Sequence, residues 1–414
     1  MSFSYRHGVL YAEGIPLEAI ARRFGTPCFV YSRAAIEHNY RAFAQALAGR
    51  DALVCYSVKA NGNLAVLALM ARLGAGFDIV SGGELARVKA AGGDPRKVVF
   101  SGVGKSEAEI EDALRSKILC INLESESELE RVAAVAARLG LRAPVAFRVN
   151  PDIDARTHPY ISTGLKSSKF GVPYAHAERL YRAAARLRQV DVIGVGCHIG
   201  SQMLDPAPLA AAVRRIAELA KRLARSGIAL RHIDIGGGIG IRYRNERVVP
   251  VGRFVARCLR ALGNRGEALL LDPGRSIVGN AGVLLARVEY VKRAGAKKFL
   301  IVDAAMNDLL RPALYGAWHD VLPARKKRGK AAVYDVVGPI CESADFLARR
   351  RRLLASQGDL LAVTSAGAYG MVQSSNYNAR PRAAEVMVDG DNPHLVRPRE
   401  RIENLYAGES VPPW

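Results

Sequence analysis

Four short stretches of this 414-residue chain bring together residue types that could do chemistry. Lys59 directly follows the apolar run VCYSV (54–58). An ammonium at the end of a buried strand is costly to desolvate, and the same penalty lowers its pKa, which suits a Schiff-base lysine. A lysine snorkelling to solvent is the competing reading of that position alone. Gly196-Cys197-His198-Ile199-Gly200-Ser201-Gln202 supplies an imidazole and a small hydroxyl beside glycines. Gly236-Gly237-Gly238-Ile239-Gly240 supplies backbone N–H groups that can approach a phosphate closely, although a tight turn would ask for the same residues. Asp272-Pro273-Gly274-Arg275 places a carboxylate and a guanidinium together. Amine, flat neighbour, phosphate cradle and carboxylate are jointly what a pyridoxal phosphate site requires.

Each stretch ends a β-rich run. Eight such runs recur: VCYSV (54–58), FDIV (77–80), VVFS (98–101), LCIN (119–122), VAFRV (145–149), GVGCH (194–198), HIDI (232–235) and LLLD (269–272). Most are almost wholly apolar, as parallel strands buried on both faces should be. Segments of helical periodicity separate them, one starting near Ser32 and one with Ser125 as N-cap and Glu128 three residues on. Eight strand–helix units predict an α/β fold, a (β/α)8 TIM-type barrel over 31–275, whose active site lies at the C-terminal strand ends. A doubly wound open sheet fits less well, because no GxGxxG opens the helix after the first strand. From 276 to 414 the strand-like segments VLLARVEYVKR, KKFLIVDAA, AAVYDVVGPI, DLLAVTSAG and AAEVMVDG predict a C-terminal mostly-β domain, with residues 1–30 packed on it.

Composition bounds the rest. Half of the residues are hydrophobic and 24% charged, a globular profile. No apolar run reaches the roughly 18 residues of a membrane span. The N-terminus lacks a secretory pattern, and six scattered cysteines without CxxC spacing read as reduced thiols, together pointing to the cytoplasm. A net charge of +21, with blocks at 325–328 and Arg349–Arg352, raises nucleic-acid binding. Most arginines instead sit singly on helical faces and no nucleic-acid motif accompanies them, so neither a specific nucleic acid nor a membrane is expected as partner.

The chain resembles the diaminopimelate decarboxylase family, which shares its barrel and β-domain plan with alanine racemase and eukaryotic ornithine decarboxylase. The likeness runs through YSVKAN (56–61), FDIVSGGEL (77–85), RVNPDIDARTHPYISTG (148–164), SKFG (168–171), HIGSQ (198–202), GGGIG (236–240) and DPGRSIVGNAG (272–282). MNDLLRPALYGAWH (306–319), CESAD (341–345) and AGAYG (366–370) are its most specific parts. The resemblance implies that Lys59 binds pyridoxal 5'-phosphate covalently, that His198 stacks on the ring, and that Asp78 belongs to the cofactor site. Ser201, Gly236, Gly237, Gly238, Gly274 and Arg275 would surround the phosphate, and Asp272 would pair with the ring nitrogen. Arg275, Arg311 and Tyr315 would hold a substrate carboxylate and Glu342 the distant ammonium. Cys341 would protonate the carbanion, Tyr369 would touch cofactor and substrate, and homodimers would share active sites.

Diaminopimelate ends in a second amino-acid centre, and two arginines plus a glutamate match its carboxylate and ammonium. A drifted specificity for carboxynorspermidine, arginine or ornithine stays open, as does, more remotely, a non-catalytic pyridoxal-phosphate-binding protein. A racemase would need a tyrosine opposite the lysine, where CESAD offers a thiol. Two departures stand out: Asp272 is one methylene shorter than the family's glutamate, and Ser57 replaces the commoner alanine, a change expected to be neutral.

Overall fold

The structure, a computed structural model, describes residues 3–155 and 169–414. Positions 156–164 of the RVNPDIDARTHPYISTG motif and Ser168 of SKFG therefore lie outside the described residues. The chain divides into two units, Asn39–Ile241 with Arg247–Ser276, and Met1–His38 with Arg242–Glu246 and Ile277–Trp414.

The first unit is the barrel. Its strands are Ala52–Ser57, Gly76–Ile79, Val98–Phe100, Cys120–Leu123, Ala143–Asn150, Val190–Gly196, His232–Asp234 and Ala268–Leu271. All pair in parallel, each with the next, and the eighth returns to the first through Leu269↔Ala52 and Leu271↔Val54. Closure leaves no sheet edge. Every run read from the sequence coincides with a strand, shifted by at most a few residues. GVGCH is offset most: its last two residues lie beyond Val190–Gly196, which starts in the mixed stretch VDVIG.

Side-chain parity along these strands positions the site. Cys55, Val99 and Leu270, from the first, third and eighth strands, cluster with Leu53 and Leu119. Cys120, Ala146 and Ile193 form a second such group. Strands that are not neighbours can share a cluster only across the bore. Two residues further along, on the same face, stand Ser57, Ser101, Asp272, Asn122 and Arg148. The inward positions thus turn from apolar to polar at the C-terminal strand ends.

Helix starts follow the sequence with one instructive difference. Ser32 Oγ accepts from Ala35 N at 3.1 Å, and Ser125 Oγ from Glu128 N at 3.2 Å. The Glu128 carboxylate does not complete the box; it accepts from Lys105 Nζ at 2.7 Å and from Glu124 N at 2.6 Å, a buried cation outcompeting the exposed cap. Ser106 and Glu109 make the full capping box instead.

The second unit is built on a mixed sheet. In order it runs Phe346–Leu353, Ala332–Val337, Lys297–Val302, Gly282–Ala294, Cys28–Ser32, Ala384–Asp389 and Asn392–Arg397. The N-terminal strand pairs antiparallel with Gly282–Ala294 (Val30↔Val283) and parallel with Ala384–Asp389 (Val30↔Val386). Leu10, Leu17, Ile20, Val30, Val283 and Val386 share its core. The basic block Arg349–Arg352 lies in the terminal strand Phe346–Leu353. Arg351 is buried, its guanidinium 3.2 Å from the Trp318 ring centroid and 2.9 Å from the His319 carbonyl. The other three arginines face outward, where charge protects a sheet edge from pairing. No helix among the described residues is long and apolar enough to cross a membrane.

Candidate active site

A cavity of about 580 Å³ opens at the C-terminal strand ends of the barrel, with Lys59, Asn122, Arg148, His198, Asp234 and Asp272 in its wall. Lys59 sits on the single turn Val58–Ala60 that follows the first strand. Its Nζ lies 2.5 Å from Asp78 Oδ2, and Asp78 is almost fully buried at the end of the second strand. Burial pushes the Asp78 carboxyl up, but the Lys59 charge and hydrogen bonds from Lys59, Ser101 and Ser57 prevail and hold it below the usual range. The lysine is thus half-buried, held at the cavity wall by a buried counter-ion.

Ser57 does more than its expected neutrality allowed. Its hydroxyl lies 3.0 Å from Asp78 Oδ2 and 2.8 Å from the Asp272 carbonyl, tying the first strand to the ends of the second and eighth. An alanine there could make neither contact. Ser57 N also donates to the Pro273 carbonyl at 3.1 Å, and a Cβ on Gly274 would press on Ser57 and Ala60 at 2.9 Å. Only glycine lets the DPGR turn approach the Lys59 turn so closely.

The glycine run forms the opposite rim. Gly236 and Gly238 have φ of 75° and 85°, and a Cβ on Gly237 would overlap the Asp272 carbonyl. The loop is locked to the one before it by Met203 N to the Gly238 carbonyl at 2.8 Å and Gly240 N to the Met203 carbonyl at 2.9 Å. Gln202 clamps Ile241 on both sides, at 2.6 Å and 3.0 Å. Arg275 donates through Nε and Nη2 to Ser201 Oγ at 3.2 Å and 3.1 Å, joining two residues that the sequence assigned to one group.

His198 Nδ1 lies 3.5 Å from Asp272 Oδ2 and accepts from Gly237 N at 3.5 Å. Asp272 Oδ1 is buried and has no hydrogen-bond partner among the described residues. A buried acceptor left open in the wall of a cavity is what a ring N–H would satisfy. With the counter-ion-held lysine, the Cβ-free cradle and the Ser201–Arg275 pair, the barrel residues fit pyridoxal phosphate. Next to Asp272, the carboxyl of Asp234 is pushed well above the usual range, by burial first and by the Asp272 charge second. Gly236 N donates to its Oδ1 at 2.8 Å.

The pyridoxal binding domain of the pyridoxal-dependent decarboxylases matches residues 33–279. The diaminopimelate decarboxylase of Pseudomonas aeruginosa is 59% identical over 412 residues, covering 100% of this chain and 99% of its own. This chain belongs to the diaminopimelate decarboxylase family. Among solved structures of the family, diaminopimelate decarboxylase from Helicobacter pylori complexed with L-lysine is 41% identical with a TM-score of 0.92, over 95% of this chain and 99% of that one. The enzyme from M. jannaschii in co-complex with L-lysine is 36% identical with a TM-score of 0.95, over 99% and 98%. The chain accordingly shares the family's closed eight-stranded barrel and mostly-β domain.

The remaining candidates of the family pattern lie in the second unit. Arg311 is buried at the start of the helix Arg311–Tyr315, its guanidinium 5.1 Å from the Tyr243 ring centroid and 5.5 Å from that of Tyr315. Cys341 is exposed, unlike the other five cysteines, and its N donates to Asn378 Oδ1 at 2.8 Å. Glu342 Oε1 accepts from Tyr377 OH at 3.0 Å. Tyr369 adopts a left-handed φ of 54°, a strained backbone for an aromatic residue.

Ser101, Asn122, Arg148 and Asp234 line the cavity and were not singled out in the sequence. Strand parity could have found the first three: Ser101, Asn122 and Arg148 each stand two positions after an inward residue, Val99, Cys120 and Ala146.

Proposed function

We propose that this chain removes carbon dioxide from meso-diaminopimelate to leave L-lysine, with pyridoxal phosphate held covalently at Lys59. The observation that carries this reading is the pairing of Lys59 with buried Asp78 in the same cavity as the open oxygen of Asp272. Bound there, the cofactor supplies an electron sink for the pair left behind as carbon dioxide departs. Asp272 would hold a proton on the ring nitrogen, and His198 would pack against the ring. The Gly236–Gly238 loop, Ser201, Gly274 and Arg275 neutralise and orient the phosphate.

Arg311, Tyr315 and Arg275 grip a substrate carboxylate, Glu342 takes the distal ammonium, and Tyr369 packs against cofactor and substrate. Cys341, as the one exposed thiol, donates the proton that replaces carbon dioxide. The chain works as a homodimer in which Cys341 of the partner subunit and Glu342 of the partner subunit complete each site. Its setting is the cytoplasm, in keeping with six free thiols.

Carbon dioxide release from a panel of amino acids, with cofactor added, tests the assignment. Diaminopimelate should turn over far faster than ornithine, arginine or carboxynorspermidine. Preference for a substrate without a distal carboxylate would overturn it.

A further inference from the structure

We propose that Arg148 and Glu124 are positioning residues, an ion pair that sets the His198 backbone and through it the tilt of the ring at the cavity wall. The proposal rests on the cofactor reading above. Glu124 directly follows the fourth strand and is nearly buried, with side-chain exposure of 3% against 13% for Arg148. Its Oε1 accepts from Arg148 Nη1 and from Gly102 N, each at 3.2 Å, and its Oε2 accepts from Gly171 N at 2.7 Å. The other arm of the guanidinium donates to the His198 carbonyl at 3.1 Å. One carboxylate and one guanidinium thus join the loops after the third, fourth, fifth and sixth strands, three of them through backbone groups. Arg148 also stacks over Phe170, its Cζ 4.8 Å from the ring centroid, which fixes the plane of the fork.

A buried pair of this sort is poor value as a mere stabiliser, because desolving two charges consumes most of what their attraction returns. The geometry explains its presence otherwise. The planar fork presents Nη1 and Nη2 to acceptors on two different loops in a fixed geometry, which a single ammonium nitrogen on a shorter, flexible stem does not reproduce. Loss of the His198 anchor lets the imidazole drift, and a misplacement on the order of 1 Å at a catalytic site costs up to about 100-fold in rate.

The test uses holoenzyme of Arg148→Gln, Glu124→Gln and Arg148→Lys beside wild type, read by visible circular dichroism of the cofactor band, by kcat and KM, and by melting temperature. The glutamine variants should alter the band and lower kcat by about tenfold or more while KM stays within about threefold. Arg148→Lys should recover melting temperature, through the restored pair with Glu124, without recovering the band or kcat. Variants that lose only melting temperature, or a lysine variant that restores stability and kcat together, would overturn the proposal. Borohydride trapping on Lys59 runs alongside: a wild type without a cofactor band or label refutes the cofactor reading itself, whereas an unaltered band in labelled variants refutes only the positioning role.

Discussion

Two carboxyl groups side by side at the barrel mouth carry opposite expectations. Asp272 has an oxygen open for a partner, whereas Asp234 already accepts from Gly236 N and has its pKa forced upward. Asp272→Ala should therefore cut turnover on the order of 100-fold with cofactor affinity largely kept, as for a group acting mainly in the transition state, while Asp272→Glu keeps or raises activity. Steady-state kinetics with cofactor titration checks both, and unchanged turnover in the alanine variant would mean another group protonates the ring. For Asp234 the sign runs the other way. A carboxyl whose folded pKa is raised binds a proton that the unfolded chain releases above about pH 4, so its contribution to stability falls as pH rises. Asp234→Asn, isosteric and uncharged, should raise the melting temperature of the cofactor-free protein at about pH 7 and bring little change near pH 4. Melting curves across that range decide it; equal effects at both ends would contradict the upward shift at Asp234.

At the scale of elements, function rests on how closely loops can approach. The glycine loop and the DPGR turn each occupy space that a Cβ would fill. Gly237→Ala, which would push against Asp272, should weaken cofactor binding by about tenfold or more, the equivalent of about 1.4 kcal/mol of overpacking. Fluorescence or absorbance titration measures this, and wild-type affinity would show the loop is not the cradle. The same scale explains what was legible in the sequence. All eight barrel strands announced themselves through apolar runs, and Lys59, His198 and Asp272 were readable because the barrel assigns chemistry to strand ends. Arg148 and Asp234 escaped because they lie within or at the end of a strand, where only knowledge of which parity faces the bore separates a wall residue from an outward one. Arg311, Cys341, Glu342 and Tyr369 came from family likeness alone, since a mixed β-sheet offers no positional rule comparable to a barrel mouth. Ser57 read as neutral because its two partners, Asp78 and the Asp272 carbonyl, lie 21 and 215 residues away in sequence.

On the scale of the whole molecule, the proposed dimer makes a sharp quantitative claim. If Lys59 and Cys341 of the partner subunit serve one site, Lys59→Ala and Cys341→Ala subunits are each defective yet complementary. A mixed dimer carries both lesions in one site and leaves the other native. Random exchange makes half the dimers mixed, so remixed pools should regain about a quarter of wild-type activity. No recovery after proven subunit exchange would place Cys341 within its own chain's site or outside catalysis. Beneath all of this lies the claim that Lys59 holds the cofactor, and the protein supplies its own control. Lys105 is the more deeply buried lysine, but it is engaged by Glu128 at 2.7 Å and by the carbonyls of Gly102 and Asn122 at 2.7 Å and 2.8 Å. Borohydride reduction of the holoenzyme followed by peptide mapping should place the pyridoxyl label on Lys59 alone; label on Lys105 or any other lysine, or none with cofactor present, would contradict the account.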